Sequence, residues 1–275
     1  METSLVAHPI IPEDEMGLIK KMKHDLEHVS FVMKVFNTVG TPIDAGLVLI
    51  PEKYQNKINL TAQKALQVSI RANLATMQKD GAQRPAMKNA YKLVTGISGA
   101  AGGFFGAAGF TADLLVSTKF MMRSILDIAR SQGEDLNTIE TQLACMQVFA
   151  LGGNSKDDDD LDIGYYAVCA ALHSATAQAK AYIAEQGTKN IIKSVASQGS
   201  SPVAKFISQV ASRYSIQVGE KFAAQAVPII GAIAGSSINI VFISHFQKMA
   251  TAHFTMRRLE RKYGKEEIEA VFLDL

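Results

Sequence analysis

The chain has 275 residues, 48% of them hydrophobic, so it can bury a sizeable core and does not belong to the class of disordered proteins. Its formal net charge is only +2, which gives no sign of a nucleic-acid partner. The two cysteines, Cys145 and Cys169, have no CxxC spacing and predict buried thiols in a reducing compartment. The first residues lack the basic and apolar segments of a signal peptide, which favours a cytoplasmic protein.

The N-terminal residues predict one amphipathic helix. Pro12 is followed by three acidic residues, which is typical of a helix start, and apolar residues then recur every three or four positions until Gly40. Residues 1–40 are therefore predicted to form an N-terminal amphipathic helix, ahead of one helical domain that covers residues 41–275. Within that domain, a helix is predicted at about 51–78.

Two apolar segments are rich in small residues. Leu93–Ala112 contains no charged residue and six glycines, and Gly231–Ile243 repeats this pattern after Pro228. Glycine costs a helix about 1 kcal/mol relative to alanine, so we expect a compensating gain from close approach of two helix backbones. Asn239, inside the second segment, must satisfy its amide against a neighbouring helix. The predicted helix-packing residues are Gly99, Gly102, Gly103, Gly106, Gly109, Gly231, Gly235 and Asn239.

The rest of the chain also predicts helices, because no segment alternates apolar and polar residues as a strand does. The acidic run Lys156–Asp162 predicts a solvated loop, since it lacks the alternating ligands and central glycine of an EF-hand calcium site. We therefore predict an all-α fold, a single bundle of roughly eight to ten helices in which the two small-residue helices pack closely. Further helices are predicted at 113–130, 135–151, 163–184, 188–226, 228–249, 251–263 and 265–273.

Three stretches of the sequence resemble the EcsC protein family. They are the glycine-rich segment and the helix after it at 99–136, the CMQVFALGG stretch at 145–153, and 227–264, where Arg-x-Leu-Glu precedes Tyr-Gly. The resemblance spans roughly residues 50–270, and it departs from the family pattern at Leu115, where the family often has proline. The family is named for a gene beside an ABC-transporter operon in some bacteria. The resemblance therefore implies a transporter component as one partner, and it assigns no activity.

One string has the spacing of a metal site. His24, Glu27 and His28 fit the H-x-x-E-H pattern, in which two histidines one turn apart can hold zinc. A metal-dependent hydrolase or protease is therefore the alternative function. Leu26 and Val29 belong to the buried stripe of this helix, so we interpret the polar string as its solvated face. The sequence has no phosphate-binding P-loop and no G-x-S-x-G elbow. We predict no cofactor and no catalytic residue, and we favour a non-enzymatic function.

Charged residues near the small-residue segments are candidates for structural ion pairs and for contacts with lipid. Asp113 and Asp127 are predicted to be structural, with Arg123 as a candidate partner of Asp127, since a buried unpaired charge is costly. Lys119 and Arg123 are candidates for contact with phosphate groups. A basic cluster after the second segment can contact an anionic membrane surface. Its members are Arg257, Arg258, Arg261, Lys262 and Lys265.

The two small-residue segments leave three alternatives open. The uncharged runs that contain them have the length of a membrane span, but glycine, alanine and serine contribute little transfer free energy. A bundle that buries both segments, a peripheral protein that presents them to lipid, and a protein with two spans all fit the sequence. We predict a non-enzymatic accessory protein, peripheral to the cytoplasmic face of the membrane. It is predicted to bind anionic lipid or a membrane transporter component, such as that of an ABC transporter, through its glycine-rich helices and the basic cluster. Integral insertion is the alternative.

Overall fold

A computed structural model describes residues 11–27, 52–76, 85–102, 106–152, 164–186, 201–226 and 228–275. These residues form nine α-helices and one short 3-10 helix, with no strand among them. The predicted all-α bundle is confirmed, and the nine α-helices of the described residues lie within the predicted range of eight to ten. The α-helices are α1 (Glu13–Glu27), α2 (Glu52–Thr76), α3 (Lys88–Gly102), α4 (Gly106–Ser131), α5 (Ile139–Gln147), α6 (Tyr165–Gln186), α7 (Pro202–Ala226), α8 (Pro228–Tyr263) and α9 (Lys265–Asp274), and the 3-10 helix is Val148–Ala150.

The N-terminal helix α1 packs into the same core as the rest of the bundle. Its apolar side chains Ile19, Met22 and Leu26 are buried, and the helix lies against α8. The Nζ of Lys23 donates a hydrogen bond to the carbonyl oxygen of Phe272 in α9, at 2.8 Å. The predicted boundary at residue 40 lies outside the described residues, so the division into an N-terminal helix and a helical domain stays a prediction. The acidic run at 156–162, predicted to be a solvated loop, also lies outside them.

Helix α8 is one continuous helix of 36 residues. At 1.5 Å per residue it is about 54 Å long. The sequence predicts two helices here, with a break near Thr251, and that prediction is wrong. The hydroxyl of Thr251 donates to the carbonyl oxygen of Gln247, at 2.6 Å, which gives the threonine a partner inside the helix. Neither glycine nor proline interrupts residues 236–263. The long helix consequently contacts α1, α3, α4, α7 and α9.

Three helices carry the small-residue segments, and they lie in contact with one another. The first segment is divided between α3, which ends at Gly102, and α4, which begins at Gly106. The second segment opens α8, which packs along α3. The Nδ2 of Asn239 in α8 donates to the carbonyl oxygen of Thr95 in α3, at 3.1 Å. Among the described helices, none has both the length and the apolar character that crossing a bilayer requires.

An aromatic cluster fills the centre of the bundle beside the 3-10 helix. The ring of Phe149 lies 5.0 Å from that of Tyr214 and 5.2 Å from that of Phe246, measured between centroids. Phe242 meets Phe246 edge-on at 5.2 Å. All four rings are fully buried, and edge-on aromatic contacts add to the free energy of burial. The cluster joins α7 and α8 to the segment that follows α5.

Both cysteines are free thiols. Cys145 is buried and Cys169 is partly buried, and burial raises the pKa of each, for Cys169 to about 11. Both thiols are therefore protonated at neutral pH, and a protonated thiol is a poor nucleophile.

Two glycines should respond in opposite ways to replacement by alanine. Gly152 has φ +74°, and a methyl group there would lie 2.7 Å from the Sδ of Met249 and 2.8 Å from the Cε1 of His245. Gly152→Ala should therefore lower the free energy of unfolding by about 2 to 4 kcal/mol. Gly17, inside α1, has no neighbour within 4 Å of an added methyl group, and Gly17→Ala should raise it by about 0.5 to 1 kcal/mol. Urea unfolding measures both changes, and a neutral Gly152→Ala would contradict the described packing.

Candidate functional site

A buried polar network joins the central helices. The Nζ of Lys221 in α7 donates to the Oδ2 of Asp113 in α4 at 2.7 Å, and to the Oγ of Ser117 at 3.3 Å. The Nδ2 of Asn239 in α8 donates to the other carboxylate oxygen of Asp113 at 2.6 Å. The same Lys221 ammonium lies 4.9 Å from the ring centroid of Phe242. Asp113 thus has partners on two other helices, and Asn239 has partners on α3 and α4.

This network holds two charges away from water. The side chain of Lys221 is 0% exposed and that of Asp113 is 1% exposed. Burial lowers the pKa of Lys221, and the carboxylate of Asp113 opposes that shift by favouring the charged ammonium. A buried ion pair gains little net stability over apolar packing, but the loss of one partner is costly. The network therefore fixes how α4, α7 and α8 meet.

A second ion-pair cluster surrounds Glu134. Arg257 donates to both Glu134 oxygens, from Nε at 2.9 Å and from Nη2 at 3.2 Å, and Arg261 donates to the same carboxylate. The hydroxyl of Thr141 adds a fourth hydrogen bond at 2.9 Å. Burial raises the pKa of Glu134, but the hydrogen bonds and charges of Arg257 and Arg261 outweigh it and hold the pKa below its ordinary value of 4.5. The cluster ties α8 to the turn between α4 and α5.

Much of the predicted basic cluster is thus engaged by acidic groups. Arg257 and Arg261 bind Glu134, and the Nζ of Lys262 lies 3.0 Å from Glu15 of α1. The side chains of Arg258 and Lys265 are exposed. Contact of this cluster with lipid stays a prediction, and its positive charge is smaller than the sequence alone indicates.

The predicted residues of helix α4 have separate environments. Lys119 is exposed, and Arg123 is half-buried beside Tyr91 of α3. Burial raises the pKa of Tyr91, and the positive charge of Arg123 offsets part of that rise. Asp127 is buried, forms an ion pair with Arg130 one turn later, and accepts a hydrogen bond from the backbone N–H of Met87 at 2.7 Å. Asp127 is thus paired with Arg130, whereas the sequence offered Arg123 as the candidate partner, and its structural role stays a prediction.

Three of the described helices contain most of the predicted packing glycines. Gly99 and Gly102 lie in the last turn of α3, and Gly106 and Gly109 in the first turn of α4. The first two turns of α8 contain Gly231 and Gly235, whereas Gly103 lies outside the described residues. Their contribution to close helix approach stays a prediction.

The structure leaves the metal-site alternative untested. His24 is exposed on α1 and Glu27 is half-buried at its end, but His28 lies outside the described residues. In the part of the chain that the structure describes, no three His, Cys, Asp or Glu side chains form a group that could hold a metal ion.

The buried His253 is neutral at physiological pH. It shares a hydrogen bond of 2.9 Å with the hydroxyl of Tyr165, and burial lowers the pKa of the histidine to about 3.

A cavity of about 710 Å³ opens between α1, α3 and α8. We call it the lysine cavity, because its charged lining residues are Lys21, Asp25, Lys88, Lys92 and Lys248. Lys248 pairs with Asp25. Among the described residues, no carboxylate forms an ion pair with the other three lysines.

The electrostatics of the lysine cavity favour an anion. Burial lowers the pKa of Lys88, and the positive charges of Lys92 and Lys21 lower it further. The Nζ of Lys88 donates to the hydroxyl of Thr251, at 2.8 Å, which orients it without neutralising it. A bound anion would stabilise these ammonium groups, which repel one another in its absence.

The sequence does not predict this cavity. Its lysines come from three helices that are far apart in the chain, so no short motif contains them. One signal was available: Lys88 and Lys92 are four residues apart and so share one face of a helix.

The fold and these contacts define an all-helical bundle protein whose central helices are joined by buried ion pairs and which carries a lysine-lined cavity. The chain matches the model of the EcsC protein family over residues 13–259, and it belongs to that family. The match confirms the resemblance and extends it to α1. A search of curated proteins and a search of solved structures each found no match.

Lys221→Met should lower the free energy of unfolding by about 3 to 5 kcal/mol, because it leaves the Asp113 carboxylate buried without its charged partner. Urea unfolding measures the loss. Lys205→Met, at an exposed position of the same helix, is the matched control and should change stability by less than about 0.5 kcal/mol. The double variant Lys221→Met/Asp113→Asn should recover part of the loss, whereas simple addition of the two losses would contradict the ion pair.

Glu134→Gln should lower the free energy of unfolding by about 2 kcal/mol at neutral pH, because two arginines lose their charged acceptor. The native-state pKa of Glu134 lies below 4.5, so its contribution is present in full above the unfolded-state pKa and is lost as pH falls through the native-state pKa. The difference between wild type and variant should therefore shrink in acid. Urea unfolding across this pH range tests it, with exposed Glu185→Gln as control. A difference independent of pH would contradict the pKa direction.

Proposed function

We propose that this EcsC family protein associates peripherally with anionic membranes at the cytoplasmic face, through the helix face that carries the lysine cavity. The observation that supports the proposal is the convergence of four lysines and only one acidic residue, Asp25, on one cavity. Elsewhere in the described structure, several basic groups of the predicted cluster are paired with carboxylates. The lysine cavity is therefore the better candidate for contact with an anionic surface.

Apolar residues around the cavity support a membrane rather than a purely ionic partner. Met22, Ile240 and Val241 line the cavity together with the lysines, and Ile240 is 39% exposed. On α3, Leu93 follows Lys92 directly and is 66% exposed. A surface that combines free ammonium groups with exposed aliphatic side chains matches the boundary between lipid headgroups and acyl chains.

The expected strength follows from the net charge of the cavity. Four lysines and one aspartate leave three positive charges, and each basic residue near an anionic leaflet contributes about 1 kcal/mol. The sum, roughly 3 kcal/mol, corresponds to about a hundredfold preference for anionic over neutral vesicles. Because the lysines are near the surface, this preference should weaken as salt shortens the screening length.

Association with an ABC-transporter component is a further proposal that rests on the resemblance alone.

Flotation with vesicles tests the proposal. The full chain should float with vesicles of equal parts phosphatidylglycerol and phosphatidylcholine at low salt, and should not float with phosphatidylcholine alone. Lys88→Gln/Lys92→Gln should lower the recovered fraction severalfold, because it removes two of three net charges. Recovery that is equal on both vesicle types, or absent on both, would contradict the proposal.

A second double variant, Arg258→Gln/Lys265→Gln, distinguishes the two basic regions. It removes two exposed charges of the predicted basic cluster and leaves the lysine cavity unchanged. Recovery close to that of wild type assigns the membrane contact to the cavity. If the recovered fraction falls further than it does for Lys88→Gln/Lys92→Gln, the membrane contact belongs to the basic cluster, which contradicts the proposal that the lysine cavity makes it.

A further inference from the structure

We propose that a second surface, outside the lysine cavity, enters the anionic bilayer with aliphatic side chains, at the boundary between lipid headgroups and acyl chains. This surface rests on the membrane proposal and deepens it, because it adds penetration of the bilayer to attraction by charge. It lies on the outer side of α2, α3 and α4, and we call it the aliphatic face. Its residues are Leu60, Lys64 and Val68 of α2, Val94 of α3, and Val116 and Lys119 of α4.

Exposed aliphatic side chains are concentrated on these three helices. Nine large hydrophobic side chains are exposed among the described residues, and six of them lie on α2, α3, α4 or directly before α3. Single exposed hydrophobic residues are normal on a protein surface, whereas a concentration of them marks an interaction surface. The six residues are Leu60, Val68, Met87, Leu93, Val94 and Val116.

Helix α2 presents a regular row of the aliphatic face to solvent. Leu60, Lys64 and Val68 follow one another at intervals of four residues, so they share one side of the helix, and all three are exposed. Leu60 is 68% exposed. The apolar residues that α2 contributes to the core lie on its other sides, and they include Ile58, Ala62, Ala65, Leu66 and Ile70. The exposed leucine is therefore not an edge of the core.

The aliphatic face adjoins the lysine cavity around α3. Successive residues of an α-helix are rotated by about 100°, so Lys92, Leu93 and Val94 follow one another around α3, away from the cavity that Lys92 lines. Helix α4 packs against both α3 and α2. The stripe of α4 that stays exposed carries Val116 and Lys119, one turn apart. One bilayer is therefore expected to contact the cavity and the aliphatic face together.

The charge of the aliphatic face suits an anionic bilayer. Where the structure describes their side chains, α2, α3 and α4 expose three lysines, Lys57, Lys64 and Lys119, and no acidic residue. Asp113 and Asp127 of α4 are buried in ion pairs. A lysine beside an inserted side chain can lay its methylene stem along the apolar region and keep its ammonium group among the phosphates. Lysines among aliphatic residues are typical of helices that lie in the membrane interface.

The composition of the aliphatic face favours lipid over a protein partner. The cores of protein interfaces are enriched in aromatic residues and depleted in lysine. Among the described residues, none of the exposed large hydrophobic side chains is aromatic, and on α2 a lysine separates Leu60 from Val68. Such a surface lacks the large rigid side chains that anchor a protein partner, and it matches a fluid interface that adapts to small aliphatic groups.

Fluorescent labels at introduced cysteines test the penetration. Leu60→Cys and Val116→Cys each carry a nitrobenzoxadiazole label, and Ala177→Cys, at an exposed position of α6, is the matched control. The native thiols are buried or partly buried and protonated, so they react slowly, and wild type treated in parallel measures any label they take up. The vesicles contain phosphatidylglycerol and phosphatidylcholine with a nitroxide on its acyl chain. The nitroxide should lower the fluorescence at positions 60 and 116 about twofold or more, and should leave position 177 unchanged.

Flotation of a serine variant tests the same face without a label. Leu60→Ser/Val116→Ser should lower the fraction recovered with phosphatidylglycerol and phosphatidylcholine vesicles severalfold. The loss should persist at salt concentrations that screen the lysines, because the removed contacts are apolar. Leu273→Ser, which removes a leucine of similar exposure on α9, is the control and should be recovered as wild type is. Because all three side chains are exposed, both variants should keep the thermal unfolding temperature of wild type.

The outcomes separate the aliphatic face from the lysine cavity. If vesicles recover the chain but the nitroxide quenches neither position 60 nor position 116, penetration by this face is overturned and the membrane proposal stands. If both positions are quenched while Lys88→Gln/Lys92→Gln is recovered as wild type is, the aliphatic face stands and the role of the cavity fails. Equal quenching at position 177, or no recovery of wild type, overturns the aliphatic face.

A second copy of the chain is the other occupant that the labels detect. If the labels at positions 60 and 116 shift to shorter emission wavelengths without vesicles, and the shift grows with the concentration of the chain, the face is an interface between two copies. That result would overturn the assignment to lipid.

Discussion

The ion pair between Asp113 and Lys221 constrains how the central helices of this bundle can be arranged. Each of these charges would cost several kcal/mol to bury alone, and both are almost completely removed from water. Helices α4 and α7 must therefore hold the two groups within hydrogen-bond distance, and Asn239 holds α8 to the same carboxylate. Small side chains alone would let these helices slide past one another. We interpret the polar contacts as the feature that fixes their register, which is the best-attested role of buried polar groups.

The same register positions the lysine cavity. Asn239 points its amide at Asp113 and at the backbone of α3, while the next residue, Ile240, lines the cavity. Lys88 and Lys92 lie on α3 before Thr95, the residue whose carbonyl oxygen accepts from Asn239. The distance between the α3 lysines and the α8 wall of the cavity is thus set by contacts made inside the core. A substitution in the network should consequently disturb the cavity even though it touches none of its lining residues.

Local patterns predicted the fold well because a helix repeats its buried face every three or four residues. They also identified Asp113 and Asn239 as polar groups in need of partners, since each lies in an apolar segment. The partners themselves could not be predicted: Lys221 is 108 residues from Asp113, and Arg257 is 123 residues from Glu134. The break predicted at Thr251 is wrong for a similar reason, because contacts with helices that are distant in the chain, such as α1 and α3, support one continuous α8. Residue pattern gives the elements, whereas long-range contacts decide which charges are neutralised.

The two basic regions differ in a way that charge counts do not reveal. Arg257 uses its planar guanidinium to bind both oxygens of Glu134, which suits a fixed structural contact. Lys88 and Lys92 present compact ammonium groups to a cavity and lack an ion-paired carboxylate among the described residues. The sequence directs attention to the arginines, because five basic residues are close together there. An anionic ligand, however, responds to the charge that remains after internal pairing. By that criterion the lysine cavity, and not the denser basic cluster, is the part of this surface most available to an anion.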